Sequence, residues 1–409
     1  MPLNITRFFD ELGRSIYADW ALQQFNEAAF PSLVEQVLQS QQVHLKLDKE
    51  AIINWVLGEQ QLPYRTHLNS KFSDLNLTAY ANDKFFIELL FWLDGTTTIH
   101  QHAFSGAFTV IEGTSIHSDY SFVTQRGINR SLLLGDVQFN AIELLQAGDI
   151  RKIYPQPMSA HALFHLNYPN ISLVVRTFSE AYAKPQLAYL KPHIAHDPFK
   201  NDQSVTQKTQ MLKVLSELDQ EQYLGAYYLH INKLDLYSHT MIFLKNVPIL
   251  FKFGALDKAL AQIADKDSAL AAALYPSALQ ICKTNRLNSW RKQLKDPHLK
   301  FFLAILLNSP NRQTSLQLIE QKYPDQSAVE LIIGWIGQLI ENEGLTDFDI
   351  NEQALPFIEC LLKGYSFEQT MIHLAQEYDE DELDESRPVL QQLYQNLKNE
   401  SVLSSLFLP

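Results

Sequence analysis

The hydrophobic period of this chain changes twice, and that change restricts the folds open to it. From about residue 8 to 60 apolar residues recur every three or four positions: Phe9, Leu12, Ile16, then Phe30, Leu33, Val34, Val37, Leu38, then Ile52, Ile53, Val56, Leu57. That spacing places them on one face of a helix. Pro63 and the polar stretch Asn69 to Asp74 end the pattern. From Asn76 short runs rich in Phe, Ile, Val and Leu alternate with turns: Phe85 to Trp92, Ile99 to Ala103, Phe108 to Ile111, Leu132 to Leu134, Phe139 to Leu145, Ile153 to Tyr154, Ala162 to Leu166 and Ile171 to Phe178. Many short strands in succession predict a β-sandwich or closed barrel. From Val205 the helical period returns, as in Leu256 to Leu274, Leu299 to Leu307, Val329 to Ile340, Leu355 to Leu362 and Val389 to Leu397.

The expected fold is therefore α+β, a central antiparallel β-barrel with N-terminal helices and a large all-α C-terminal domain. The boundaries read as 1–75 for the N-terminal helical region packing on the barrel, 76–180 for the barrel, 181–204 for a connector and 205–409 for the helical domain. A length of 409 residues supports two or three such units. With 46% hydrophobic and 19% charged residues the chain can bury a sizeable core. A net charge of -13 argues against a nucleic-acid or anionic-membrane surface. Met241 to Phe251 is too short to span a membrane and contains Lys245, and the N-terminus lacks a signal-peptide pattern. The two cysteines, Cys282 and Cys360, fall in helix-like segments, so the expected location is the reducing cytoplasm. Asp379 to Glu382 reads as a solvated acidic turn or helix start.

The chemistry concentrates in the barrel. In Ile99-His100-Gln101-His102 the two imidazoles project from the same face of a strand, because successive side chains alternate. Neutral imidazole is a common ligand of transition metals. A third histidine, His161, opens a later strand-like run after the turn Ala147-Gly148-Asp149. The three are the candidate metal ligands. His165, four residues on, shares the face of His161; it is a candidate catalytic residue, a hydrogen-bond partner of the ligands, or a core histidine. Tyr64, Arg65 and Arg176 are candidate substrate anchors, since guanidinium binds carboxylates bidentately; for either arginine the alternative is a structural ion pair, for instance with Glu88. His193 and His196 read as a solvated loop, and Trp92 as core.

Asp94-Gly95, His100-Gln101-His102 and Gly113, followed by Gly148, Pro155 and His161, resemble the two motifs of the cupin superfamily. The glutamate usual in the first motif would fall at Gly106, so three histidines and no carboxylate are expected at the metal. That set, with Asn82-Asp83-Lys84-Phe85, Trp92 and Gly95, resembles the cysteine dioxygenase branch, over roughly residues 60 to 180. The resemblance implies a cupin (jelly-roll) barrel, ferrous iron held by His100, His102 and His161, addition of dioxygen to a thiol, and a substrate carboxylate held by Tyr64 and Arg65. One departure concerns the pocket. Where that branch carries a histidine and a tyrosine two residues apart, this chain has Val174 and Arg176. The expected substrate is consequently a small anionic thiol or related acid other than cysteine.

Zinc, nickel, manganese or copper also accept three imidazoles, so ligand type does not select iron. Three functions fit: an iron-dependent thiol dioxygenase-like oxygenase, another metal-dependent cupin such as an isomerase or different oxygenase, or a small-molecule-binding protein whose helical domain engages a protein partner or a second copy.

Overall fold

A computed structural model describes residues 3–59, 62–63, 73–93, 97–178, 185–200, 202–341, 350–399 and 402–408. Four N-terminal helices come first: α1 (Ile5–Leu22), α2 (Phe30–Gln41), α3 (Val43–Lys46) and α4 (Lys49–Gly58). Eleven strands follow: β1 (Leu75–Ala81), β2 (Phe85–Trp92), β3 (Ile99–His102), β4 (Gly106–Glu112), β5 (Ser115–Asn129), β6 (Leu132–Leu145), β7 (Ile150–Ile153), β8 (Gln156–His165), β9 (Asn170–Thr177), β10 (Ala188–Leu190) and β11 (Ile194–His196). The expected jelly-roll-like architecture is observed: antiparallel sheets preceded by helices and followed by a large helical region.

The strands form a five-stranded sheet in the order β1-β2-β9-β4-β7 and a second sheet, β10-β11-β6-β5-β8-β3, that closes through the β3–β10 pair. The stretch expected to be a connector thus contributes two strands, β10 and β11, which pair with β3 and β6. Three-residue strands leave no periodic signal, which is why the sequence reads there as a loop.

Strand β2 shows how sequence becomes layer. All eight residues of Phe-Phe-Ile-Glu-Leu-Leu-Phe-Trp are buried, because both faces are covered. Phe85, Ile87, Leu89 and Phe91 join the N-terminal helices in one core with Phe9, Trp20, Phe30 and Val34. Leu90 and Trp92, on the alternate face, pack inside the barrel with Phe104, Phe108, Val110, Leu163 and Val174. On the far side Leu132, Leu134 and Ile194 pack against helices α5 (Gln203–Leu218), α6 (Gln220–His230), α7 (Leu236–Lys252), α8 (Leu256–Ala264) and the first part of α9 (Ser268–Gln293).

These elements form one compact unit, Met1–Ala141 with Leu145–Cys282; the other comprises Ile142–Leu144 and Lys283–Pro409. The second contains α10 (Pro297–Asn308), α11 (Arg312–Lys322), α12 (Ala328–Ile340), α13 (Leu355–Leu362), α14 (Phe367–Leu374) and α15 (Glu380–Asn399). Helix α12 buries Ala328, Ile332, Trp335, Ile336 and Leu339, a single stripe rather than its whole circumference. Asp379 caps α15, its carboxylate accepting from the Asp381 amide at 2.9 Å. Among the described residues no helix is long and apolar enough to cross a membrane.

Candidate metal centre

Strands β3 and β8 bring the three histidines together. His100 lies directly opposite His161 in the antiparallel register, so their side chains leave the same face as neighbours. A register irregularity between His100 and His102 precedes the second pair. The strand is held from its other face. Gln101, between the two histidines, accepts from the Tyr189 hydroxyl and donates from Nε2 to the Pro185 carbonyl at 2.9 Å.

The rings converge. Their centroids lie 4.7 Å apart for His100 and His102, 5.0 Å for His100 and His161, and 4.9 Å for His102 and His161. One nitrogen from each lies within 4.8 Å of the others, and His102 Nε2 is 2.9 Å from His161 Nε2. His100, His102 and His161 are 6%, 2% and 4% exposed, so this is an interior cluster and not a pair of half-exposed strand histidines.

The tautomers follow from the partners. His100 Nδ1 is 2.8 Å from the Thr98 carbonyl, which can only accept, so Nδ1 carries the proton and Nε2 keeps its lone pair. His161 Nδ1 is 2.9 Å from Nε2 of His117, a buried histidine on β5. Burial is the main cause holding all three below the ordinary histidine range, against a smaller upward pull on His100 from the Thr98 carbonyl. His102 and His161 are held well below it, with His100 and Arg176 adding to the effect at His102 and the neighbouring imidazoles adding to it at His161. All three are consequently neutral near pH 7, the form that ligates metals without first losing a proton.

The donor set fits a divalent transition metal. With metal–nitrogen bonds of about 2.1 Å, two ligands on adjacent octahedral positions stand roughly 3.0 Å apart, and tetrahedral ones roughly 3.4 Å. The 2.9 Å between His102 and His161 matches the octahedral edge. No carboxylate can join from the position where the first motif ordinarily has one. A Cβ on Gly106 would fall 2.0 Å from the Val175 carbonyl oxygen and 2.9 Å from Arg176 Cα. The backbone of β9 occupies the space a side chain would need.

The other candidates are placed differently. Arg176 lies on the inner face of β9, the face of Val174, and donates from Nε and Nη2 to Glu88 Oε2 at 3.2 and 3.0 Å. The ion pair with Glu88 that the sequence offers as the alternative to a substrate anchor is therefore present, on the inward face. Phe104 separates it from the ligands, with the guanidinium 4.4 Å above that ring and the His102 ring 4.6 Å from it. His165 points inward two positions beyond Leu163. Its Nδ1 is 2.9 Å from Ser115 Oγ, which also accepts from Asn170 Nδ2 at 3.1 Å, and its ring stacks on Trp92 at 4.5 Å. This polar knot belongs to the barrel core, and Gly113 makes room for it. Gly113 has φ +96°, and a Cβ there would meet Asn170 Nδ2 at 2.6 Å. His193 is not a free loop residue: its Nδ1 lies 2.9 Å from Asp136 Oδ1. His196 belongs to β11. Tyr64 and Arg65, with Asp94 and Gly95, lie outside the described residues.

Sequence reasoning missed His117. The signal was parity on β5: Asp119 lies opposite His161, so His117 shares its face one step along the ladder.

No family model and no curated protein matches the chain. Among solved structures, similarity is found to a cupin-2 domain containing protein from Shewanella frigidimarina NCIMB 400, at 15% identity and TM-score 0.18 over 25% of this chain and 79% of that one. Hydroquinone 1,2-dioxygenase from Sphingomonas sp. TTNP3 is similar at 14% identity and TM-score 0.20, over 27% of this chain and 70% of that one. The DMSP lyase DddQ from Ruegeria pomeroyi DSS-3 is similar at 12% identity and TM-score 0.22, over 43% of this chain and 98% of that one.

Proposed function

We propose that the barrel is a cupin-type metal centre in which His100, His102 and His161 hold a divalent transition metal, ferrous iron in the working enzyme, and that the chain is an oxygenase for a small anionic thiol or related acid. The observation carrying this reading is the buried convergence of three neutral imidazoles, with His102 Nε2 and His161 Nε2 separated by the width of an octahedral edge.

Three neutral ligands would leave the charge of the ion undiminished. When bound, such an ion would supply positive charge that favours a thiolate over a thiol, and redox chemistry toward dioxygen. The chain supplies the rest. Thr98 and His117 orient two of the imidazoles through their Nδ1 atoms. Phe104, Phe108 and Val174 exclude water from the interior and strengthen electrostatic interactions there. Arg176 offers the positive charge that would hold an acid group, beyond Phe104 from the ligands.

Chelator-free protein should contain one equivalent of iron after anaerobic loading and consume oxygen with one member of a panel of small thiols and acids. Metal binding without oxygen uptake or any other turnover would favour a binding protein. Turnover of an acid without oxygen uptake would favour an isomerase or lyase.

A further inference from the structure

The inner face of the five-stranded sheet holds a second polar group whose hydrogen-bonding capacity is half used. Thr78 of β1 lies opposite Glu88 of β2, and Glu88 opposite Val174 of β9, so their side chains enter the barrel side by side. Glu88 is 2% exposed and Thr78 is 3% exposed. Both contacts from Arg176 go to a single oxygen, Glu88 Oε2. Glu88 Oε1 and Thr78 Oγ1 are buried and have no hydrogen-bond partner among the described residues.

An ion pair built only for stability would use both carboxylate oxygens, since a buried unsatisfied acceptor costs about 1 to 3 kcal/mol and more when charged. The guanidinium also contacts two aromatic rings, its Cζ 4.5 Å from the centroid of Phe86 and 4.4 Å from that of Phe104. Contact with ring faces leaves the N–H edge of the guanidinium for further hydrogen bonds. The edge offers donors at Nη1, and the carboxylate beside it offers an acceptor at Oε1. A bare carboxylate satisfies the first and leaves the second empty. A carboxylate with a hydroxyl or ammonium on the neighbouring carbon satisfies both.

We propose that Glu88 and Arg176 form a subsite selecting 2-hydroxy or 2-amino carboxylates, with Arg176 holding the carboxylate and Glu88 Oε1 accepting from the neighbouring donor. Glu88 is thereby a specificity-determining residue. The assignment rests on the reading of the barrel as a site for a small acid and names the chemistry that acid carries.

The test uses zinc-loaded full-length protein, in which no redox turnover occurs, titrated calorimetrically with propionate, lactate and alanine. The three share a carbon skeleton and differ in having no donor, a neutral donor or a charged one. Lactate or alanine should bind at least about tenfold tighter than propionate, because a buried acceptor built for a donor rejects the analogue lacking it. Glu88→Gln should collapse that ratio toward one while propionate binding persists. Equal affinity for the three acids, binding of none, or an unchanged ratio in Glu88→Gln would overturn the subsite. The wild-type ratio decides the matter alone if Glu88→Gln does not fold. Zinc content measured on the same samples separates the two claims: discrimination without zinc removes the metal reading and leaves the subsite, and zinc without discrimination does the reverse.

Discussion

His117 Nε2 stands 2.9 Å from His161 Nδ1, so a histidine that faces the cluster is itself held by a second histidine from a different strand. The contact fixes the His161 ring and directs its Nε2 toward His102. Replacing His117 by phenylalanine keeps the ring volume and removes the hydrogen bond. We expect metal affinity to fall by about 10- to 100-fold with stoichiometry kept at one, measured by competition with a chromogenic chelator. An unchanged affinity would show that packing alone orients His161.

Gly106 tolerates no side chain, since the Val175 carbonyl oxygen stands where a Cβ would sit. Gly106→Ala should destabilise the protein by more than about 3 kcal/mol or prevent soluble expression, as read by urea unfolding. Gly106→Glu should not yield a four-ligand site. Soluble Gly106→Glu protein with tighter metal binding would contradict the close approach of β4 and β9.

His165 separates core from chemistry. With Ser115 and Trp92 as its partners, His165→Ala should lower stability by about 2 to 4 kcal/mol through cavity formation and an emptied hydrogen bond. Metal content should stay at one equivalent. Loss of metal from a folded His165→Ala protein would return this residue to the site.

Acid should destabilise the first unit. Burial holds His196 and His239 down to about 4, and Lys266 Nζ, 3.4 Å from His239 Nδ1, adds to the effect on His239. Above pH 6.5 both residues are neutral in either state. Between 6.5 and 4 the unfolded chain binds protons that the folded one does not, so stability drops as pH falls. Each group contributes at most about 3 kcal/mol to that loss. The urea midpoint should fall from pH 7.5 to pH 4.5, and His239→Phe should reduce the fall. A flat midpoint would contradict these shifts.

The layer order was legible because both periods are strong here. Phe85 to Trp92 and Ile171 to Thr177 are mostly apolar runs, interrupted only by Glu88 in the first and by Ser172, Arg176 and Thr177 in the second, as suits strands covered on both faces, and the flanking helices announce themselves by spacing. His100, His102 and His161 were legible for a similar reason, since parity on a strand fixes a face before any fold is known. The register between distant strands was not legible. That His117 supports His161 depends on the register of β5 on β8; the pairing of Arg176 with Glu88 was offered by the sequence, but its place on the inner face depends on the register of β2 on β9. His165 shows the converse limit. Parity put it on the right face, and position along the strand put it beyond Leu163, in the core.

The central claim is that three histidines hold one metal ion, and the most direct measurement is metal content by mass spectrometry of protein purified without chelator and loaded anaerobically with iron or zinc. The wild type should carry one equivalent. His100→Ala, His102→Ala and His161→Ala should each lose it while circular dichroism shows the fold retained, and His117→Phe and His165→Ala should keep it at saturating metal. Wild-type protein that takes up no metal under these conditions, or folded triad variants that retain a full equivalent, would contradict the account.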